Sequence, residues 1–182
     1  MKATGIVRRI DDLGRIVIPK EIRRTLRIRE TDPVEIFTNK EGEIVLKKYS
    51  PIGELGEIAK TYAEALSQAT GEVVCVTDRD QVIAAAGSDK KDLMLKNISK
   101  KLEMVIDDRA TLLASNGDRD YINITADENE DYASQAISSI ICEGDVCGAV
   151  TMLSKDKKKY LDDSHKQMVT TAANFLGKQM ES

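Results

Sequence analysis

The sequence has no tryptophan and only two phenylalanines, and aromatics make up 4% of its 182 residues. Its core must therefore be mostly aliphatic. No apolar run approaches the ~20 residues that a bilayer-spanning helix needs. The opening stretch MKATGIVRRIDD lacks the apolar centre of a signal peptide, so a soluble cytoplasmic protein is expected. There are three cysteines, Cys75, Cys142 and Cys147. An odd number in a chain of this length is not a disulfide framework, and buried thiols packing as small hydrophobes are expected. The one histidine, His165, lies eighteen residues beyond Cys147, so the ligand set of a metal site is missing. On its helical stripe, that histidine reads as a packed side chain and not as a catalytic one. Asp107–Asp108 and Asp162–Asp163 are neighbours that point in different directions from a helix, so neither pair shares a site. Ser138 and Ser139 have no base nearby in sequence, and no glycine-rich phosphate-binding motif appears. Enzyme activity is the weakest reading, and no catalytic residue, cofactor or metal is expected.

The net charge of −4 hides an asymmetry. Residues 1–50 hold twelve Lys and Arg against eight Asp and Glu, a net +4, and residues 51–182 carry the opposing −8. Over residues 1–29 the balance is nine against three, or +6. A basic head on an acidic body implies two domains with different partners, the head suited to a polyanion.

The head reads as four short strands and one helix. ATGIVRRI has the alternation of a half-exposed strand. DDLG is a turn with Gly14 available for positive φ. RIVIP is a strand ended by Pro19, which has no N–H for a ladder and suits the first position of the helix KEIRRTLRI. Ile22 and Leu26 lie four apart on its inward face. TDPVEIF and EIVLKKY form a hairpin around TNKEG. Fifty residues bury little surface alone, so two copies sharing one core are expected. YSPIGE marks the boundary: residues 1–50 are one domain, 51–55 a linker and 56–182 a second domain.

Beyond the linker, LGEIAKTYAEALSQAT is helical and closed by Gly71. GEVVCVTD and QVIAAAG read as strands. SDKKDLMLKNISKKLEMVIDDR reads as one helix with Ser88 as its N-cap. ATLLAS, DYINIT, YASQAISSII and DVCGAVTMLS read as four strands, the last two joined at Glu143–Asp145. A final helix covers about 160–180, its inward set including Leu161, His165, Met168, Val169, Ala172 and Leu176. An antiparallel sheet carrying helices is an α+β layout. The helices 55–70 and 160–180 carry apolar stripes near a 3.5 repeat, and four of them from two chains suit a bundle.

Seven arginines, Arg8, Arg9, Arg15, Arg23, Arg24, Arg27 and Arg29, fall within twenty-two residues, joined by Lys2 and Lys20. A planar fork of donors suits phosphate and the guanine edge. The plain alternative is a solvated surface with local pairs such as Glu21–Arg24.

MKATGIVRRIDDLGRIVIPKEIRRTL, followed by DPVEIF and EIVLKKYSP, resembles the AbrB-type swapped-hairpin family of bacterial transcription regulators over nearly all of residues 1–50. A head of this type on an acidic α+β domain is similar to sporulation regulators of spore-forming Bacilli, whose C-terminal part is GAF-like. The resemblance implies an N-terminal all-β swapped-hairpin barrel with a short helix, formed by two chains. It implies a C-terminal α+β GAF-like domain with an antiparallel sheet. DNA-contacting arginines of the family match Arg8, Arg15, Arg23 and Arg24, with Arg9 adjacent. Pairing of the GAF-like domains through their terminal helices would join two dimers as a homotetramer. The expected role is a DNA-binding activator and repressor of late, forespore-specific sporulation genes, reading A·T-rich duplex by shape. Two alternatives stand beside it. The GAF-like half is a sensor of an unidentified small molecule, or simply an oligomerisation module. Or the head is an antitoxin-like partner-binding module, although antitoxins usually end in a short disordered tail and residues 51–182 read as folded.

Overall fold

A computed structural model describes residues 5–127 and 131–181. Lys2 and the start of the first expected strand, residues 3 and 4, lie outside them. The chain divides into two compact units, Met1–Tyr49 and Ser50–Ser182.

The first unit holds helix α1 (Lys20–Thr25) and a hairpin of β1 (Val34–Thr38) and β2 (Ile44–Lys48). The hairpin is antiparallel, with Ile36 opposite Leu46. Asn39 organises its turn: its side-chain oxygen accepts from the N–H groups of Glu41 and Glu43 at 3.0 and 2.9 Å. Pro19 sits one position earlier than expected, as the N-cap of α1. The helix ends in a Schellman motif. Arg27 stands beyond the cap at φ 52°, while Ile28 N–H bonds Arg23 O at 2.8 Å and Arg27 N–H bonds Arg24 O at 3.3 Å. Among the described residues the strands expected over ATGIVRRI and RIVIP are not formed; residues 5–10 and 15–19 have no regular ladder. Their alternation is a strand signal, but a strand needs a neighbour for its N–H and C=O groups. Helix α1 buries no residue. Val7, Ile10, Leu13, Ile16, Val17 and Ile36 are exposed, Val7 by 85%.

The second unit opens on the short helix α2 (Pro51–Glu54), so residues 51–55, expected as a linker, are a helical turn and its cap, with Ile52 fully buried. Then follow α3 (Gly56–Thr70), β3 (Val73–Thr77), β4 (Val82–Ala86), α4 (Lys90–Leu93), α5 (Lys100–Asp107), β5 (Thr111–Ser115), β6 (Ser134–Cys142), β7 (Asp145–Ser154) and α6 (Asp163–Gln179). The five strands form one antiparallel sheet in the order β4-β3-β7-β6-β5. Both faces are covered, which explains the near-continuous burial of β3, β6 and β7. On one face, Val74, Val76, Ala136, Ile140, Val150 and Met152 meet Ala59 and Ala63 of α3 and Val169, Ala172 and Leu176 of α6. On the other, Val73, Cys75, Ile137, Ala149 and Leu153 meet Leu102 and Ile106 of α5.

Two expected elements differ. The single helix over residues 88–109 is two helices, interrupted where Leu95 takes φ 62° and the chain runs along the edge of β4. There Val82 N–H bonds Lys96 O at 2.9 Å and Leu95 N–H bonds Val82 O at 3.0 Å. Helix α5 restarts at Ser99, whose hydroxyl accepts from Leu102 N–H. DYINIT is not a strand. It is a strap across the second face, joined to the rest by a bridge between Ile98 and Thr125. Its own Ile122 and Ile124 are buried.

The outer side of the two long helices is partly apolar. Tyr62 and Phe175 stack with ring centroids 5.1 Å apart, and Ile58, Met168 and Phe175 are 38–39% exposed. Met168 thus faces outward, not inward as expected, while Val169 and Ala173 take the core positions. His165 is the N3 residue of a capping box with Asp162, its Nδ1 2.6 Å from the carboxylate. The three cysteines are buried thiols; burial pushes that of Cys147 up to about 11. Among the described residues no group of acids, cysteines or histidine forms a metal site, and no helix is long and apolar enough to cross a membrane.

Candidate nucleic-acid interface

The basic head is organised from Asp11. Its backbone N–H bonds Arg15 O at 3.0 Å, and Gly14, at φ 75°, returns its N–H to Asp11 O at 3.0 Å. One carboxylate oxygen accepts from the N–H groups of Leu13 and Arg15 at 3.0 and 2.8 Å. The other accepts from Arg15 Nε at 2.8 Å. The Arg15 backbone N–H, then its side chain, hold the Asp11 carboxyl below its ordinary value. This turn presents Arg15 to solvent, with Arg8 and Arg9 exposed on the extended chain before it.

Arg23 and Arg24 lie in the last turn of α1. Arg24 is exposed and Arg23 half-buried, with a buried Nε that has no partner among the described residues. Basic residues at a helix C-terminus are stabilised by its negative end. The loop after α1 is pinned to the hairpin by Asp32. Its carboxylate accepts from Arg29 N–H at 2.7 Å and pairs with Lys48 Nζ at 2.9 Å. Burial raises the Asp32 pKa, but the Arg29 N–H and the Lys48 ammonium outweigh it, and the net shift is downward. One chain therefore offers the five arginines in two sets: Arg8, Arg9 and Arg15 around a rigid turn, and Arg23 and Arg24 at a helix end.

The second unit offers a different kind of chemistry. The α3/α6 face of its sheet is mostly apolar, with Ser134 and Ser138 buried on it, Ser134 Oγ accepting from Leu161 N–H at 2.9 Å. The opposite face carries four buried polar side chains among its apolar ones. Register places Thr77 opposite Ala149, Thr151 opposite Cys75 and Ile137, Gln135 opposite Leu153, and Ser139 opposite Ala149. All four polar side chains are buried. Ser139 Oγ is 3.2 and 3.0 Å from the carbonyls of Val105 and Ala110, to which it donates. The Gln135 carboxamide holds the strap, donating to Ile122 O and accepting from Ile122 N–H, each at 2.8 Å. The hydroxyls of Thr77 and Thr151 are buried with no partner among the described residues. The sequence signal for this face was weak, because polar residues inside otherwise apolar strands read as ordinary strand alternation.

Comparison with known proteins agrees with both halves. The family model of the stage V sporulation protein T C-terminal domain, a transcription factor, matches residues 54–181. That of the MazE bacterial antitoxins matches residues 7–54. Stage V sporulation protein T of Bacillus subtilis (strain 168) is 52% identical over 181 residues, covering 100% of this chain and 99% of its own. The transition state regulatory protein AbrB of the same organism is 61% identical over 51 residues, 28% of this chain and 52% of that one. Among solved structures, the GAF-B domain of DevS from Mycobacterium smegmatis matches with TM-score 0.55 at 12% identity, covering 69% of this chain and 91% of its own. The GAF domain of an Acinetobacter phosphoenolpyruvate-protein phosphotransferase gives 0.57 at 11%, covering 74% and 84%. At such identities the likeness is one of fold. The end-to-end match to a sporulation protein, with an AbrB-like head and a GAF-like body, makes this chain a member of the stage V sporulation protein T family of transcription factors.

Proposed function

We propose that the chain binds double-stranded DNA through Arg8, Arg9, Arg15, Arg23 and Arg24 of paired heads, and so regulates late, forespore-specific sporulation genes from the cytoplasm. The observation that carries this is the Asp11-organised turn with its exposed arginines, set in a unit that leaves Val7, Ile10, Ile16 and Val17 exposed among the described residues. A second copy would bury Val7, Ile10, Ile16 and Val17 and supply the missing ladder, giving a swapped-hairpin barrel with two sets of arginines related by symmetry. The half-exposed face of Ile58, Tyr62, Met168 and Phe175 suits a bundle between bodies, so that two dimers join as a tetramer. Phe175→Lys should then halve the mass measured by light scattering. The body's role is regulatory and not enzymatic.

If the four family-matched arginines of each of two chains engage phosphates, about eight contacts form, and log K should fall against log salt with a slope of about −7. Fluorescence anisotropy on an A·T-rich duplex tests this. Arg23→Ala/Arg24→Ala removes four contacts per pair and should bring the slope to about −4. Binding that is flat in salt, or unchanged by the substitution, would refute the assignment.

The unpaired Thr77 and Thr151 hydroxyls favour a second reading of the body, as a sensor whose small-molecule ligand displaces the strap and pairs with them. Neutral hydroxyls offer no counter-charge to a buried ion, so the ligand would be uncharged. Screening uncharged fragments by ligand-observed NMR against the whole protein and against Thr77→Val/Thr151→Val tests it; fragments that bind both equally, or none that bind, would sink it. An antitoxin-like role for the head rests on the match to MazE over residues 7–54 alone, and co-purification of a small toxin would support it.

A further inference from the structure

Ser50 is the first residue of the second unit and the N-cap of α2. Its hydroxyl works in both directions. It accepts from Gly53 N–H at 3.2 Å and donates to Asp78 Oδ2 at 3.2 Å. An N-cap needs only an acceptor, and Asp or Asn would serve as well. A group that also donates is required only by the bond to Asp78.

Asp78 is buried and held from the other side. Its Oδ1 accepts from the N–H groups of Asp80 and Gln81 at 2.7 Å each, and its own N–H bonds Gln81 O at 3.0 Å. The turn therefore fixes the carboxylate and leaves Oδ2 for Ser50. Thr77 O rests against Gly148, where an added Cβ would stand 1.8 Å from it. The same turn is tied to the opposite face of the sheet. Ile98 N–H bonds Asp80 O at 2.9 Å, Gln81 bridges Asn97, and Ile98 bridges Thr125 of the strap. So the strap over the polar face and the residue at which the chain enters the second unit hang on one turn, Thr77–Val82.

We propose that the Ser50–Asp78 bond is a latch: it fixes the point at which the chain passes to the head, and its making and breaking couple the state of the body to DNA affinity. The coupling rests on the DNA-binding reading above; the latch itself does not. Ser50 acts here as a positioning residue. A change at the strap that shifts the turn moves Oδ2 away from the hydroxyl and frees the α2 N-terminus. Allosteric couplings between such sites are commonly 5–150-fold in affinity.

Three substitutions in the full-length protein separate latch from cap. Ser50→Asp keeps a cap acceptor but sets a carboxylate against Asp78, opening the latch. Ser50→Asn offers an acceptor and a donor and keeps both functions. Ser50→Ala loses both. Hydrogen exchange over residues 47–55, melting of the second unit and DNA anisotropy are measured on each. For Ser50→Asp, exchange should quicken at least tenfold and DNA affinity change about fivefold or more, with the salt slope close to the parent's. Ser50→Asn should match the parent throughout, and Ser50→Ala should also melt earlier. Unchanged exchange in Ser50→Asp overturns the latch, whether or not DNA binds. Faster exchange with unchanged affinity overturns the coupling alone. A parent that binds no DNA overturns the DNA reading, and exchange still judges the latch.

Discussion

Replacing Thr151 by Val should make the second unit more stable, which is the opposite of what most core substitutions do. Thr151 lies on the central strand β7 between β3 and β6 and is 0% exposed. Its methyl and backbone stay in place in the variant; only a hydroxyl with no partner among the described residues becomes a methyl. A buried, unpaired hydroxyl costs about 1–3 kcal/mol, and a chain of this size gains about 2–4 °C in melting temperature per kcal/mol. The transition of the second unit should therefore rise by about 2–12 °C in scanning calorimetry. Thr111→Val is the control. Its Oγ1 lies 3.1 Å from Ser138 Oγ in a satisfied pair, so its removal should lower the transition by leaving Ser138 unpaired. Both substitutions exchange the same atoms on the same sheet and differ in whether the hydroxyl has a partner. A Thr151→Val protein that melts at or below the parent's temperature would refute the reasoning, and with it the view that this face carries polar groups for a purpose other than folding.

Arg27 occupies the left-handed position after α1 at φ 52°, a place that favours glycine, so Arg27→Gly should stabilise the head by about 1 kcal/mol in denaturant titrations. Gly148→Ala should destabilise the second unit by about 3 kcal/mol or more, because its Cβ would meet Thr77 O at 1.8 Å and both are sheet backbone that cannot step aside. Asp89 accepts from Tyr132 Oη at 2.7 Å, Lys155 Nζ at 2.7 Å and Ser88 Oγ at 2.9 Å. Burial raises its pKa, but those three donors outweigh it, and the folded value lies below the ordinary one. Its contribution is thus present above the unfolded value near 4 and fades as pH falls through the lower folded value. Urea melts of the parent and Asp89→Asn should differ at pH 7 and converge as pH drops toward 2.

The second unit was largely legible because periodicity reports burial. Helices α3 and α6, strands β3 and β4 and the β6–β7 hairpin follow from apolar spacing and turn residues. Reasoning failed where a side chain's partner lay far along the chain. SDKKDLMLKNISKKLEMVIDDR has helical spacing throughout, yet the edge of β4 claims Leu95 and Lys96 for backbone pairing, and the cue was Ser99, a better N-cap than Ser88. His165 carries a stripe position by spacing, but its ring caps a helix with Asp162. In the head, the turn that presents Arg15 was readable from DDLG. Asp11 as its organiser was visible only as a turn former, because bonding to five different groups is a matter of geometry.

The contrast between the two units limits what one chain can do. The body buries both faces of a five-stranded sheet and can hold its shape alone. The head has a two-stranded hairpin, a helix that buries nothing and a row of β-branched side chains in water; a lone hairpin is marginal by itself. Under the pairing proposed above, the head would gain order and the arginines would double in number. Folding of the head and assembly of its proposed DNA-contacting surface would then be one event. Regulation need not reshape the arginines at all. On those proposals, anything in the body that changes how readily two heads meet, or how firmly Ser50 is held, would change the concentration of complete sites. The body would then need no contact with DNA to control binding, which fits its net charge of opposite sign.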